Sequence, residues 1–353
     1  MVVAGVLAAA YGVLAQTEPP GGGIRVAGTI DAYYSVDLDG RGLGSNALRG
    51  FDDKTNHVEL NMASLSVDYS GKPLGFHVDA GAGRAFDIMS STEKGVPGMG
   101  FFEQAFVEVK PASWKGLQVD FGKFASSAGA EVIETSNNWN YSRSLLFVWC
   151  TPFYHFGIRA AAPVGKSLNA GVQLVGGWNN IVTGATFRTV GLTGSWTPSS
   201  KLTWTNTYYG GPDETPSHGM RKLYDTVVTL LAGSKTSFYV NFDYLHERQR
   251  SGAGSAVYGV AAAARFRLSR KVSLSPRSEW LNDNSGLATA TGQQVKEFTV
   301  TGTYAFPGGL SGWLEFRHDW SNQPLPNRNQ QTTVWKGQPT VLVGVVAVIR
   351  AKK

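Results

Sequence analysis

The chain has 353 residues, of which 16% are charged and 12% aromatic, with 43 glycines, one cysteine and a net charge of +6. The charged share is below the roughly one quarter usual in soluble domains. Lysines and arginines are scattered, with no basic run of the kind that tracks nucleic acid, and the single Cys150 excludes an intrachain disulfide framework.

Past the N-terminus no apolar run reaches the length of a transmembrane helix. The first 15 residues, closing on Val13, Leu14 and Ala15, read as a signal peptide whose basic n-region is missing, so the start is taken to be truncated. The competing reading of that run is a buried helix. Residues 16–23, with Pro19, Pro20 and three glycines, read as a flexible lead-in.

Residues 25–37 then alternate: Val26, Ile30, Ala32, Tyr34 and Val36 on one face, Thr29, Asp31, Tyr33, Ser35 and Asp37 on the other. A period of two is that of a strand. Alternation over more than about ten residues exceeds a soluble strand and suits one crossing a bilayer at a tilt. The next strand, over 58–69, changes its greasy face near Met62 and Ala63, which predicts a bulge. The third places His77 and Asp79 on the face opposite Phe76 and Val78. Strands follow over 102–110 and 117–123, and after a long gap the rhythm resumes at His155, with Arg159 inward between Ile158 and Ala160.

Further on, Tyr239, Asn241 and Asp243 are expected inward, then Arg265 and Arg267, Arg277 and Glu279, and Glu315, Arg317 and Asp319. Pro276 predicts a bulge or local break, because proline cannot donate to a ladder. The count is sixteen strands, with connections alternating long and short. That parity is what a transmembrane antiparallel up-and-down β-barrel requires, with long loops on one rim and short turns on the other. The barrel is expected to span residues 24–349, leaving a basic tail at 350–353. Trp178, Tyr208, Trp280 and Trp320 near one rim, and Trp196, Trp204, Tyr304 and Phe306 near the other, read as two interfacial girdles.

The gap between the fifth and sixth strands, residues 124–154, has neither helix nor strand period. It holds Glu131, Glu134 and Arg143, and among its aromatics Trp139, Tyr141, Phe147 and Trp149 are expected to anchor it against the wall. A barrel of about sixteen strands leaves an aqueous bore, so this third long loop is expected to fold inward and narrow it. Glu131 and Glu134 would form an acidic side of the constriction, and Lys123, Arg143 and Arg159 a basic side. Asp31, Asp79, Arg265, Arg267, Arg277 and Arg317 would line the lumen wall, and the inward arginines predict a preference for anions.

An enzymatic reading has little to stand on. Glu131 and Glu134 could be a carboxylate pair and His155 lies near Cys150, yet no catalytic motif accompanies either. The histidines are dispersed, so neither a cofactor nor a metal is expected.

Several segments, GTIDAYYSVD, FGKFASSAGAEVIETSNNWNYSRSLLF with PFYHFGIRA, LTWTNTYYGGP, LYDTVVT and LEFRHDWSNQP, resemble the OmpL-like β-barrel porins. The resemblance implies a bacterial outer-membrane porin for passive diffusion of small hydrophilic solutes or ions, meeting outer-membrane lipid and the barrel-insertion machinery. A homotrimer is the expectation by analogy with other sixteen-stranded porins. One departure is the C-terminus, which ends on Ile349, Arg350 and three further residues, where barrels of this kind end on an aromatic residue. The alternative reading is an envelope barrel plugged by its central loop, with a binding or structural role.

Overall fold

The computed structural model describes residues 23–39, 44–91, 93, 98–181, 189–212, 218–249, 251–325 and 336–351. The expected signal peptide, nearly all of the lead-in and the last two residues of the tail lie outside them.

Sixteen strands run in chain order: β1 (Ile24–Asp37), β2 (Val58–Tyr69), β3 (Leu74–Ala82), β4 (Phe102–Val109) and β5 (Gln118–Ala125). After the long gap come β6 (Tyr154–Val164), β7 (Leu168–Val175), β8 (Thr189–Ser199), β9 (Leu202–Pro212) and β10 (His218–Leu231). The remainder are β11 (Thr236–Gln249), β12 (Gly254–Arg267), β13 (Val272–Asp283), β14 (Gln293–Ala305), β15 (Leu310–Ser321) and β16 (Gly337–Arg350). Each pairs antiparallel with its neighbours, and β1 closes on β16 from Ala27 opposite Arg350 to Asp37 opposite Thr340. Closure leaves no strand edge unpaired, which is the condition for a sheet in lipid. Two short helices lie in the long connections: α1 (Arg84–Ser90) between β3 and β4, and α2 (Leu145–Trp149) between β5 and β6.

Side-chain alternation separates two surfaces. On β1, Ile30 and Tyr34 are exposed while Asp31, Tyr33 and Ser35 are buried. On β15, Leu314, Phe316 and Trp320 are exposed and Glu315, Arg317 and Asp319 buried. The greasy face is thus the outer one, and the polar face looks into the barrel.

The break expected on β2 is a bulge at Asn61: Asp31 pairs with Met62 and Ala32 with Leu60, so the residue between them is extra. A second bulge, not expected, falls at Glu103 on β4, where Asp79 pairs with Gln104 and Ala80 with Phe102. Pro276 makes no bulge. β13 runs straight through it in register with β14, but the β12 ladder lacks its pairs between Ala263 opposite Arg277 and Phe266 opposite Leu274. Of the expected girdles, Trp196, Trp204, Tyr208, Tyr304, Phe306 and Trp320 are exposed on the outer face. Trp178 is not one of them. It lies past the end of β7, partly buried against the interior cluster around Leu145 and beneath Arg221.

Candidate functional site

The connection between β5 and β6 contributes to four of the five buried apolar clusters among the described residues. It has almost no internal ladder, and its backbone polar groups must be satisfied in some other way. The barrel wall supplies them. Glu315 on β15 accepts from the Tyr141 and Ser142 amides at 2.7 and 3.1 Å. Arg277 on β13 donates to the Ser142 carbonyl at 2.8 Å, and Arg317 to the Arg143 carbonyl at 2.6 Å. Asn140 donates to the Ser275 carbonyl and to the Thr301 hydroxyl, at 2.9 and 2.7 Å. Within the segment, Glu131 accepts from the Ser144 amide at 2.6 Å, and Ser144 caps α2 by accepting from the Phe147 amide. Arg143 turns back on its own loop, donating to the carbonyls of Val132, Ile133 and Tyr141. The absence of a period in the sequence has this physical origin: side chains, rather than a neighbouring strand, satisfy the backbone.

Apolar contacts fix the same segment. Leu145 and Leu146 pack on Leu223, Leu245, Val257, Leu281 and Val295, apolar positions of β10 to β14 on the otherwise polar inner face. Trp139 lies on Tyr239 at 5.0 Å between ring centroids. Tyr141 sits between Tyr33 and Trp313, and its hydroxyl donates to Asp31 at 2.5 Å. Burial and that carboxylate both hold the Tyr141 hydroxyl well above its usual range. Gly344 on β16 makes room for the ring, since a Cβ there would come within 2.5 Å of it.

The residues expected at a constriction are not assembled as two opposed sides. Glu131 pairs with Arg277 at 2.6 Å. Arg159 pairs with Asp120 at 2.6 Å and lies over Phe106 and Phe124. Lys123 stands near the end of β5, where Gly122, Lys123 and Phe124 are all buried and the alternation lapses. It is buried against the Tyr154 ring and pairs at 2.5 Å with Glu93 of the connection before β4. Glu134 is in no ion pair among the described residues, and burial with Asp79 nearby raises its carboxyl above the usual range.

Of the expected wall residues, Asp31 holds the loop, accepting from Asn61, Thr135 and Tyr141. Asp79 pairs with His77 at 2.6 Å, and His77 reaches Asp68 at 2.7 Å through its other ring nitrogen. Arg277 and Arg317 are closed in by carboxylates: Glu131, Glu279 and Glu297 around the first, Asp319 and Glu297 around the second. Arg265 and Arg267 stand half-buried at the short-turn end of β12.

Sequence reasoning missed Glu103, which the β4 bulge brings inward, and Glu93, whose place opposite Lys123 depends on a long connection. It also missed Arg49 and Asp52 of the first connection, which pair with each other while Arg49 reaches Asp319 at 2.7 Å. Cys150 is fully buried in the cluster around Leu145, and that burial pushes its thiol well up, away from the reactive thiolate.

Several solved structures share this architecture. An anion-selective porin from Comamonas acidovorans superposes with a TM-score of 0.65 at 10% identity, covering 93% of this chain and 100% of that one. The outer membrane channel DcaP of Acinetobacter baumannii gives 0.61 at 10% identity, covering 96% and 100%. OmpF of Salmonella typhi, in complex with daunomycin, gives 0.62 at 13% identity, covering 92% and 97%. Comparison with curated protein sequences yields no match. A family model described as "Putative beta-barrel porin-2, OmpL-like" matches residues 23–349, essentially the whole barrel. With its sixteen-stranded closed sheet and its lipid-type outer face, the chain belongs to that family of outer-membrane porins.

Proposed function

We propose that this porin conducts small hydrophilic solutes and ions through a gap between the inward-folded β5–β6 connection and the wall formed by β2 to β6. One observation carries the reading: among the described residues the connection's hydrogen bonds to strand side chains go to one side of the barrel, whereas toward β2 it makes apolar contacts, Ile133 and Phe147 clustering with Met62, Phe51 and Phe86. The hydrogen bonds run along β7, β9, β11, β13, β14, β15 and β1 through Gln173, Tyr209, Asn241, Arg277, Thr301, Glu315 and Asp31. On the other side its edge, Ser136 and Asn137, is exposed within an otherwise buried segment, and Asp68, Gln104 and Gln118 on the opposing wall are half-exposed. Solvent-reached polar groups on both margins support a water-filled route.

The reading is tested in planar bilayers with purified protein. Discrete conductance steps are expected, and Asn137→Trp should lower their size. The plugged-barrel alternative predicts silence from the wild type and conductance only after residues 136–149 are deleted. The selectivity named for the Comamonas protein stays with that protein, because at 10% identity the likeness is one of fold. One solved relative of this architecture, OmpT of Vibrio cholerae, is described in a trimer form. A homotrimer is the assembly we propose here, and crosslinking in outer-membrane vesicles would reveal it.

A further inference from the structure

At the passage proposed above stand two carboxylates that are in no ion pair among the described residues. Glu103 reaches it from the β4 bulge, where the extra residue turns a side chain out of the regular alternation. It is only 2% exposed, and among the described residues it accepts no hydrogen bond and pairs with no cation. Glu134 comes from the facing edge of the loop, two residues before Ser136, and has no cation partner either. Glu103 is within electrostatic reach of Glu134 and Asp79, and also of Lys123 and Arg143.

The cations in the neighbourhood are already engaged. Both His77 ring nitrogens lie within 2.7 Å of a carboxylate oxygen, Asp68 on one side and Asp79 on the other. Both nitrogens therefore donate, which makes the ring an imidazolium shared between two carboxylates. Arg159 is held by Asp120 and Lys123 by Glu93. Arg143 faces both glutamates but spends its guanidinium on three loop carbonyls. A carboxylate withdrawn from water without a partner is unfavourable, and it is relieved by taking either a proton or a mobile cation.

We propose that Glu103 and Glu134 form a cation-binding station in the passage, one that favours monovalent cations and ammonium-bearing solutes over anions. This rests on the open passage described above, and it reverses the anion preference expected from sequence. The reversal follows from the pairing, since Arg277 and Arg317, two of the four arginines behind that expectation, are enclosed by carboxylates on the opposite wall. Protons and cations compete for the same oxygens, so selectivity for cations rises with pH until both glutamates are ionised. Asp79, His77, Lys123 and Arg143 are the other charged groups facing the pair.

The test is the reversal potential of single channels in a potassium chloride gradient. Wild type is expected on the cation side, more so at about pH 8 than at about pH 5. Glu103→Gln with Glu134→Gln should move the potential toward the anion side and abolish its pH dependence. These changes keep the side-chain shape and remove a repulsion, so the barrel should fold. Glu134→Gln alone, on the loop, should give an intermediate shift. A conducting channel whose potential is unchanged in the double variant, or a wild type on the anion side, overturns the station while leaving the passage intact. A silent wild type overturns both.

Discussion

Arg277 illustrates how this interior spends its charges. Its guanidinium is buried among Glu131, Glu279 and Glu297 and also holds the Ser142 carbonyl of the loop. Substitution by Met fills part of the volume but strands three carboxylates out of water. Breaking a buried pair in this way costs about 3–5 kcal/mol. The expected outcome is a lower temperature for the loss of heat-modifiable gel mobility, with Arg265→Met, at the short-turn end, nearly unchanged. Glu134 carries a pH dependence of its own. Burial, with Asp79, raises its carboxyl in the folded protein. A raised acid contributes stability that is complete below its unfolded value of about 4.3 and is lost as pH rises through the folded one. Urea resistance in detergent should therefore fall as pH rises above about 4 in the wild type, and Glu134→Gln should flatten that fall.

At the scale of elements, the β5–β6 connection is held by bonds to seven or more strands, so no single contact decides its position. Two changes act on it as a unit. Gly344→Val would drive a branched side chain into the space of the Tyr141 ring and separate that hydroxyl from Asp31. Open-channel noise should rise, while the barrel itself still forms. Deleting residues 136–149 removes the body of the proposed constriction, and single-channel conductance should increase, with weaker discrimination between ions of opposite sign. Much of this was legible in the sequence. The limits of β2 agree with the alternation residue for residue, and the lack of any period between Ala125 and Tyr154 marked the loop. Inward positions such as Asp31, Asp79, Arg277 and Glu315 follow from parity alone. Pairing does not. That Glu131 would meet Arg277, 146 residues later, depends on how the loop turns inside the closed barrel. Glu103 escaped because a bulge breaks the very parity used to place its neighbours. The apolar inward positions Leu223, Leu245, Val257, Leu281 and Val295 were visible as residues, but a seat for Leu145 and Leu146 can be recognised only once the loop is known to reach it.

At the scale of the molecule, one strand pair decides whether there is a barrel at all. β1 and β16 join the two ends of the chain along eleven registered positions. Truncation before Gly337 removes that pair and leaves two edges with unsatisfied backbone groups facing lipid. Such a chain should be found unfolded or degraded, with no heat-modifiable form, which cell fractionation and gel mobility would show.

The strands are also unequal in length around the circumference. β4, β5 and β7 have 8 residues each, whereas β10, β11 and β12 have 14. At about 3.3 Å per residue and a tilt of about 40°, these correspond to heights of roughly 20 and 35 Å. The apolar band of an outer membrane is about 25 Å tall. One flank is thus shorter than the hydrocarbon it borders, and its β4 and β5 belong to the wall that the loop's hydrogen bonds leave free. Hydrophobic mismatch there forces the surrounding lipid to thin, at a fraction of a kcal/mol per ångström. Setting the short flanks of several barrels against one another removes that thinned annulus, so the membrane itself supplies a force for association.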